Sequence, residues 1–426
     1  MDRITIDAIL ALIKREVVPA MGCTEPAAVS LAVAKATELL GTIPEHIDLQ
    51  LSGNIIKNAM GVGIPGTGMI GLPIAVALGA LVGKSEYGLE VLKDVNDDWV
   101  EEGKKYIAKD RISICHKEDA PSNLYIEVEV RSAEGGKAKA IISGSHQNFV
   151  HLSRAEEVLL DTEAGESAGE NNRDVKLTAA MVYDFAMTAP REDILFIMEA
   201  KRLNSAAADL GMSGKYGHSL GMTLLNSGGL IGVAPLDRMM ARTSAACDAR
   251  MGGAQIAVMS NSGSGNQGIT ATMPVVTYAE EISADEETTA RALILSHLTS
   301  IYIKQSLGTL SALCGCVVAS TGASAGLVYL MGGNYDQVCA AIKNMVANLT
   351  GMICDGAKPA CSMKISSGVA TAVMSAMLAM NCKCVTASEG IISDDIDVTI
   401  NNLTSIGREA MRETDKHVLK IMVEGK

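Results

Sequence analysis

Aromatic side chains are scarce in this sequence: one Trp, three Phe and nine Tyr make up 3% of 426 residues. A sizeable core must then be filled by Ala, Val, Ile, Leu and 23 Met, and small side chains let helices pack closely. Clustered Lys and Arg are also missing, and the formal charge is −13, so the basic surface that a nucleic acid requires is excluded. Long apolar runs are lacking as well. Mean hydropathy is positive, yet "LPIAVALGALVG" and "VATAVMSAMLAM" fall short of the ~20 residues of a spanning helix. They read as buried helices, and no membrane association is expected.

The first residues, "MDRITIDAILALIKREVVPAMG", carry Asp7, Lys14, Arg15 and Glu16 inside their apolar pattern. That interrupts the apolar stretch a signal peptide needs, and a cytoplasmic location is expected. Ten cysteines in that compartment should be reduced, which argues against a disulfide framework. Compact C-x(2-4)-C pairs of the kind zinc prefers are absent.

Two textures are present. Residues 4–17 and 26–40 have helical spacing, and between them "VPAMGCTEPAA" places Cys23 near a helix N-terminus, with Thr24 a candidate cap and Pro26 suited to the first turn. From about 45 to 155 the pattern is that of strands, in "HIDLQLSG", "RISICH", "LYIEVEVRS" and "KAKAIISGSH", the last two joined by an "AEGG" turn. An acidic, Gly-rich stretch over 161–174 reads as a linker. Beyond it, nearly everything has helical spacing, interrupted by the glycine-bearing junctions "GKYGHSLGM", "NSGG", "NSGSGNQGITATMP" and "GASAGLVYLMGG". The expectation is an α+β chain: a mixed α/β part with a small sheet over 1–160 and a mainly α-helical part over 175–426.

The cysteines carry the first chemical signal. Cys115, Cys247 and Cys339 stand alone and read as buried thiols, and the Cys382/Cys384 pair in "NCKCV" is a weak metal signal. Cys314 and Cys316 in "LCGCVVAS" and Cys354 and Cys361 in "MICDGAKPACSMK" fall within one helical region. Such irregular spacing suits plain core thiols or an iron-sulfur cube, whose irons face in different directions. The spacing alone leaves both open.

"AMGCTEPAAVSLA", "SGNIIKNAMGVGIPGTG", "NQGITATMPVV", "LCGCVVAS" and "MICDGAKPACSMK" closely resemble the L-cysteine desulfidase, or serine dehydratase-like, family over essentially the full chain. The C-terminal half is more distantly similar to the α-domain of iron-sulfur L-serine dehydratases, whose loop before the last cysteine is longer than the one here. The resemblance implies that Cys314, Cys354 and Cys361 bind three irons of a [4Fe-4S] cluster. Cys316 is the neighbour with which Cys314 could be exchanged. It also implies that Cys23 is the base in a β-elimination from a small amino acid, L-cysteine ranked before L-serine, giving pyruvate and ammonia. A helix N-terminus and an adjacent metal both favour a thiolate there.

The glycine junctions offer backbone N–H groups beside polar side chains, an arrangement suited to a substrate carboxylate. Ser52, Asn54, Lys57 and Asn58 come from "SGNIIKNAMG", Ser143 and His146 from "SGSHQN", His218 from "GKYGHSLGM", and Ser264, Asn266 and Gln267 from "SGSGNQG". Each is equally readable as an ordinary turn or structural polar group. Two other classes compete. A pyridoxal phosphate enzyme would use Lys364 in "SMKISSG", but that lysine follows the glycine loop, the reverse of the order in those enzymes. A redox sensor would need an output module, and none is visible. A homo-oligomer is expected from the extent of apolar helical surface.

Overall fold

The computed structural model describes residues 1–162, 175–226, 234–308 and 311–424. Ile6, Ile9, Leu10, Leu12 and Ile13 form one buried face of α1 (Arg3–Glu16), which Asp2 caps by accepting from Thr5 N at 2.8 Å. Strand β1 (Pro19–Met21) leads into α2 (Thr24–Leu40), which ends at a left-handed Gly41. Strand β2 (His46–Leu51) is followed by α3 (Gly53–Ala59), α4 (Leu72–Leu81) and α5 (Asp97–Ile107). Strands β3 (Ile112–His116), β4 (Tyr125–Arg131), β5 (Lys137–Ser143), β6 (Phe149–Arg154) and β7 (Glu157–Asp161) complete a six-stranded sheet.

The sheet order is β3-β2-β4-β5-β6-β7. Strands β2 and β3 are parallel, because α3 to α5 form the crossover between them, and every other pair is antiparallel. The β4–β5 hairpin closes at Arg131↔Lys137, around the expected "AEGG" turn. Strands β6 and β7 were not anticipated as separate elements. All but one residue of β7 is exposed, so no buried alternation marks it in the sequence.

The rest is helical: α6 (Ala179–Thr188), α7 (Arg191–Ile194), α8 (Met198–Gly211), α9 (Leu220–Leu225) and α10 (Pro235–Met251) precede strand β8 (Ala257–Met259). Then come α11 (Gly265–Glu281), α12 (Glu286–Leu307), α13 (Gly315–Leu330), α14 (Tyr335–Leu349), α15 (Cys361–Met380), α16 (Ile396–Ser405) and α17 (Arg412–Glu424). The α+β class expected from the sequence is the class observed. Of the expected linker, residues 163–174 lie outside the described residues, as does most of "NSGG".

Among the described residues two large buried clusters organise the packing, beside a small third one around Ala208, Ala246, Val258 and Ile269. The smaller of the two large ones joins α2 to the inner face of the sheet through residues such as Val29, Leu31, Val33, Leu49, Leu51, Ile126, Val128 and Ile142. The larger holds the C-terminal helices, together with Ile9 and Ile13 of α1 and Ile74 and Leu78 of α4. Strand β8 pairs antiparallel with β1, so the second half is also tied to the residues just before Cys23.

Two glycine junctions are helices instead. "GASAGLVYLMGG" lies mostly within α13, where a Cβ on Gly322 would stand 2.2 Å from Ser296 O and one on Gly326 2.8 Å from Ala292 O, both on α12. The glycines permit helix contact and do not break the helix. "NSGSGNQGITATMP" supplies the first turns of α11 after a short loop. The run "VATAVMSAMLAM" is part of a longer helix than expected: α15 has 20 residues and, among the described residues, is the one helix long and apolar enough to cross a membrane by length and composition. Its Val369, Ala372 and Ala376 are buried, and it packs against α10, α13 and α14.

Helix α17 returns to the first half. Leu419 fills the space above Gly53, and Asp415 pairs with Lys57 of α3, whose side chain is 2% exposed. We expect Asp415→Asn to strand that ammonium and to cost about 3 kcal/mol in chemical denaturation, with Lys57→Met/Asp415→Leu recovering most of the loss. Gly322→Ala should force α12 and α13 apart and cost roughly 1–3 kcal/mol in the same measurement.

Candidate active site

Helix α2 begins with Cys23 as its N-cap residue, but the thiol makes no cap bond. Instead Cys23 Sγ donates to Glu25 Oε2 at 2.9 Å. Asn58 Nδ2 donates to Glu25 Oε1 at 3.0 Å, and Thr24 Oγ1 lies 3.2 Å from both Glu25 Oε2 and Gly263 O. All four residues are less than 9% exposed.

Burial pushes the Glu25 carboxyl up, but the attraction of His146, the Cys23 hydrogen bond and the charge of Arg250 pull it down further, leaving it below the ordinary carboxylate value. His146 is itself lowered by burial, despite the neighbouring carboxylate. Cys23 goes the other way: burial and the Glu25 charge push its thiol well above the ordinary value, with Arg250 opposing. The thiolate anticipated from the helix N-terminus is therefore not the resting form. The carboxylate beside it outweighs the helix end.

Arg250 is the residue that sequence reasoning missed most completely. It is 3% exposed on α10, donating through Nη2 to Gly22 O at 2.9 Å and through Nη1 to Asn266 Oδ1 at 3.0 Å. Gly265 has no side chain because a Cβ there would stand 2.3 Å from Arg250 Nε. The available signal was a lone arginine among small residues in "TSAACDARMGG". Glu25 was also passed over, although it lies inside "GCTEP".

The expected substrate-binding residues divide into two groups. Asn58, His146, Asn266 and Gln267 gather around Cys23, Glu25, Arg250 and Gly315: His146 approaches Gly263, and Gln267 packs against Gly315. Asn58 Oδ1, His146 Nε2, Arg250 Nε and Gln267 Oε1 are all buried without a protein partner. Ser264 caps α11 by accepting from Gln267 N at 3.4 Å, so that helix starts here. Asn54 Oδ1 is likewise buried and unpartnered. The others hold structure. Ser52 bridges Asn123 O and Tyr125 N, and Ser143 bonds Ser122 at 3.0 Å. His218 is exposed in the turn just before α9, where its backbone bonds Asp248. Lys57 is committed to Asp415. A narrow, mostly apolar pocket is lined by Cys23, Pro26, Ile64, Pro65 and Leu92.

On the far side of α3 lie the other cysteines. An isolated antiparallel bridge pairs Leu313 with Ile353, with Cys314 N donating to Met352 O at 3.0 Å and Cys354 N to Ala312 O at 2.7 Å. The two thiols are thereby brought within hydrogen-bonding reach. The bond from Cys314 pulls Cys354 below the ordinary thiol value against its burial, helped by Lys57 and Lys364, while Cys314 is raised. Cys361 opens α15 with Sγ 3.6 Å from Gly356 O. Gly356 has a φ of +91°, and a Cβ on it would meet Lys57 O at 2.1 Å, so the loop is pressed onto α3.

Cys316 lies near Cys361, but its thiol is committed to a backbone bond. Its Sγ donates to Lys364 O at 3.1 Å in the α13–α15 crossing, where Gly368 makes room for it. Burial pushes that thiol up to about 12. Among the described residues no three His, Cys, Asp or Glu side chains converge on a single metal ion. A cube does not require that, since each thiolate takes a different iron. Three sulfur donors from two neighbouring segments, one of them acidified, fit such a group. Of the three thiols expected to be buried, Cys247 is, near Asn266, whereas Cys339 is half-buried and Cys115 is exposed on the edge strand β3; Cys382 and Cys384 are exposed as well.

Comparison with known proteins supplies the family. The chain is 60% identical over 416 residues to a UPF0597 protein of Bacteroides fragilis, covering 97% of each chain. It is 53% identical over 434 residues to a UPF0597 protein of Porphyromonas gingivalis, covering the whole of both, and 46% identical over 423 residues to one of Oleidesulfovibrio alaskensis, covering 97% of each. The serine dehydratase alpha chain family matches residues 86–420, a span that includes His146, Arg250, Gln267 and all three candidate cluster cysteines. The chain belongs to the serine dehydratase alpha-chain family.

Proposed function

We propose that this protein is a lyase that eliminates sulfide from L-cysteine, leaving aminoacrylate that hydrolyses to pyruvate and ammonia, and that Cys314, Cys354 and Cys361 hold a [4Fe-4S] cluster for the purpose. The observation that carries this reading is the placement of two chemical groups on one short helix. Asn58 of α3 touches the Cys23–Glu25 pair, and Lys57, one residue earlier, touches the loop that carries Cys354 and Cys361.

When bound, a cluster with three protein thiolates supplies a Lewis-acidic iron with an open position for the substrate's leaving group. The chain's own residues would do the rest. The Cys23 sulfur takes the α-proton. Asn58, Asn266 and Gln267 offer amide groups to the substrate carboxylate, and the N-terminus of α11 adds its dipole there. Arg250 holds Gly22 and Asn266 in place and contributes positive charge to the same region. Burial excludes water from the carbanion as it forms.

The family assignment also favours a second reading, L-serine dehydration by the same residues, with hydroxide leaving in place of sulfide. We further propose a homo-oligomer, supported by exposed Met363, Met374, Met377 and Leu378 along one side of α15. The ten free cysteines agree with a cytoplasmic location.

The deciding experiment is anaerobic reconstitution with iron and sulfide, followed by parallel assays of pyruvate from L-cysteine and L-serine. Cluster-dependent turnover of L-cysteine with matching sulfide release is the expected result, and turnover of L-serine alone would move the assignment to the dehydratase. Cys354→Ser should lose the cluster absorbance and its iron, whereas Cys316→Ser should keep both. Cys23→Ser should retain iron and absorbance but lose on the order of 100-fold or more in turnover.

A further inference from the structure

We propose that Glu25 is the proton acceptor for Cys23: its carboxylate takes the thiol hydrogen in the same event in which the Cys23 sulfur removes the α-proton of the substrate. This deepens the elimination reading and rests on it. The geometry is already set, with Sγ 2.9 Å from Oε2 and both residues buried. Asn58 occupies Oε1, which turns the other oxygen toward the thiol.

The step balances. The Cα–H bond breaks and a new S–H bond forms on Cys23, while the original S–H proton passes to Glu25 Oε2. The electron pair left on Cα expels the β-substituent as an anion. Glu25, now a carboxylic acid, holds the proton that must later return to the leaving group or solvent.

The arrangement needs such an acceptor because the thiol is held protonated by burial and by Glu25 itself. The charged and titratable groups facing the pair are Arg250 from α10 and His146 from the loop after β5. His146, the Cys23 hydrogen bond and Arg250 keep the carboxylate charged, so its oxygen carries no proton before the thiol delivers one. A purely structural residue would need only to hydrogen-bond Asn58 and Thr24; Gln keeps one of the two acceptor oxygens and Asp keeps both, so the two variants together separate a lost bond from a lost proton acceptor.

The test uses reconstituted holoprotein, wild type against Glu25→Gln and Glu25→Asp, with cluster absorbance as the check that the site is loaded. Two readouts are taken: kcat, and the pH midpoint for alkylation of Cys23 by iodoacetamide, followed by peptide mass spectrometry. In Glu25→Gln the midpoint should fall, because a negative charge has been removed, yet kcat should also fall by on the order of 100-fold or more. A more acidic thiol with lower turnover is the signature of a lost acceptor.

Retention of kcat within threefold in Glu25→Gln, or an unmoved alkylation midpoint, would overturn the proposal. If Glu25→Gln does not fold, Glu25→Asp decides: its shorter carboxylate should lower kcat at least tenfold, and full activity would overturn the role. If wild-type holoprotein turns over neither amino acid, the elimination reading fails. The midpoint then still decides separately whether Glu25 governs the Cys23 proton.

Discussion

The structure around α3 depends on one constraint: charges carried into a protein interior must find partners there. Lys57, Arg250 and Glu25 are all less than 9% exposed. An isolated buried charge is expensive, and the partners offset that cost only when their geometry is fixed. Asp415 serves Lys57, the Gly22 carbonyl and Asn266 serve Arg250, and Asn58, Thr24 and Cys23 serve Glu25. These six partners come from four separate stretches of chain. Meeting the constraint therefore draws α2, α3, α10, α11 and α17 to one place, and the Cys23 thiol arrives with them.

Close backbone contact is the second requirement, and the near absence of aromatics makes it attainable. Gly265 admits Arg250, Gly356 admits the Lys57 carbonyl, and Gly322 and Gly326 admit α12. Large rings at these contacts would hold the elements several ångströms apart. A core of Ala, Val and Met leaves room for polar groups to be buried with their partners, and several polar atoms near Cys23 have no protein partner at all. Unpartnered buried polar atoms carry a free-energy cost that a site recovers when a polar ligand binds.

Much of the fold was legible because it rests on local periodicity. Alternation in "HIDLQLSG" and "LYIEVEVRS" and the 3.6-residue rhythm of α1 and α14 are imposed by which face is buried, and each appears in a single stretch of sequence. Strand β7 was not legible, since an exposed edge leaves no buried face to read. The glycines of α13 were misread because a glycine that permits helix contact looks the same in sequence as one that ends a helix. The site was legible where a motif marks it: Cys23, Asn58, Asn266, Gln267 and the cysteines of "CDGAKPAC". Ser52, Ser143 and His218 carried the same residue types in similar glycine-rich settings but are spent on structural bonds or lie exposed.

By itself the sequence determined the class of the fold, the segments that carry thiols and amides, and the kinship that ties them to dehydratase chemistry. Composition, period and motif are properties of adjacent residues, so they survive without coordinates. Only the tertiary structure decided which charge faces which thiol. It set Glu25 against Cys23 and so reversed the expected protonation, bonded Cys316 to the Lys364 carbonyl while Cys314 met Cys354, and brought Arg250 to Gly22 from 228 residues along the chain. Electrostatics acts through space over a few ångströms, and no spacing along the chain records that distance.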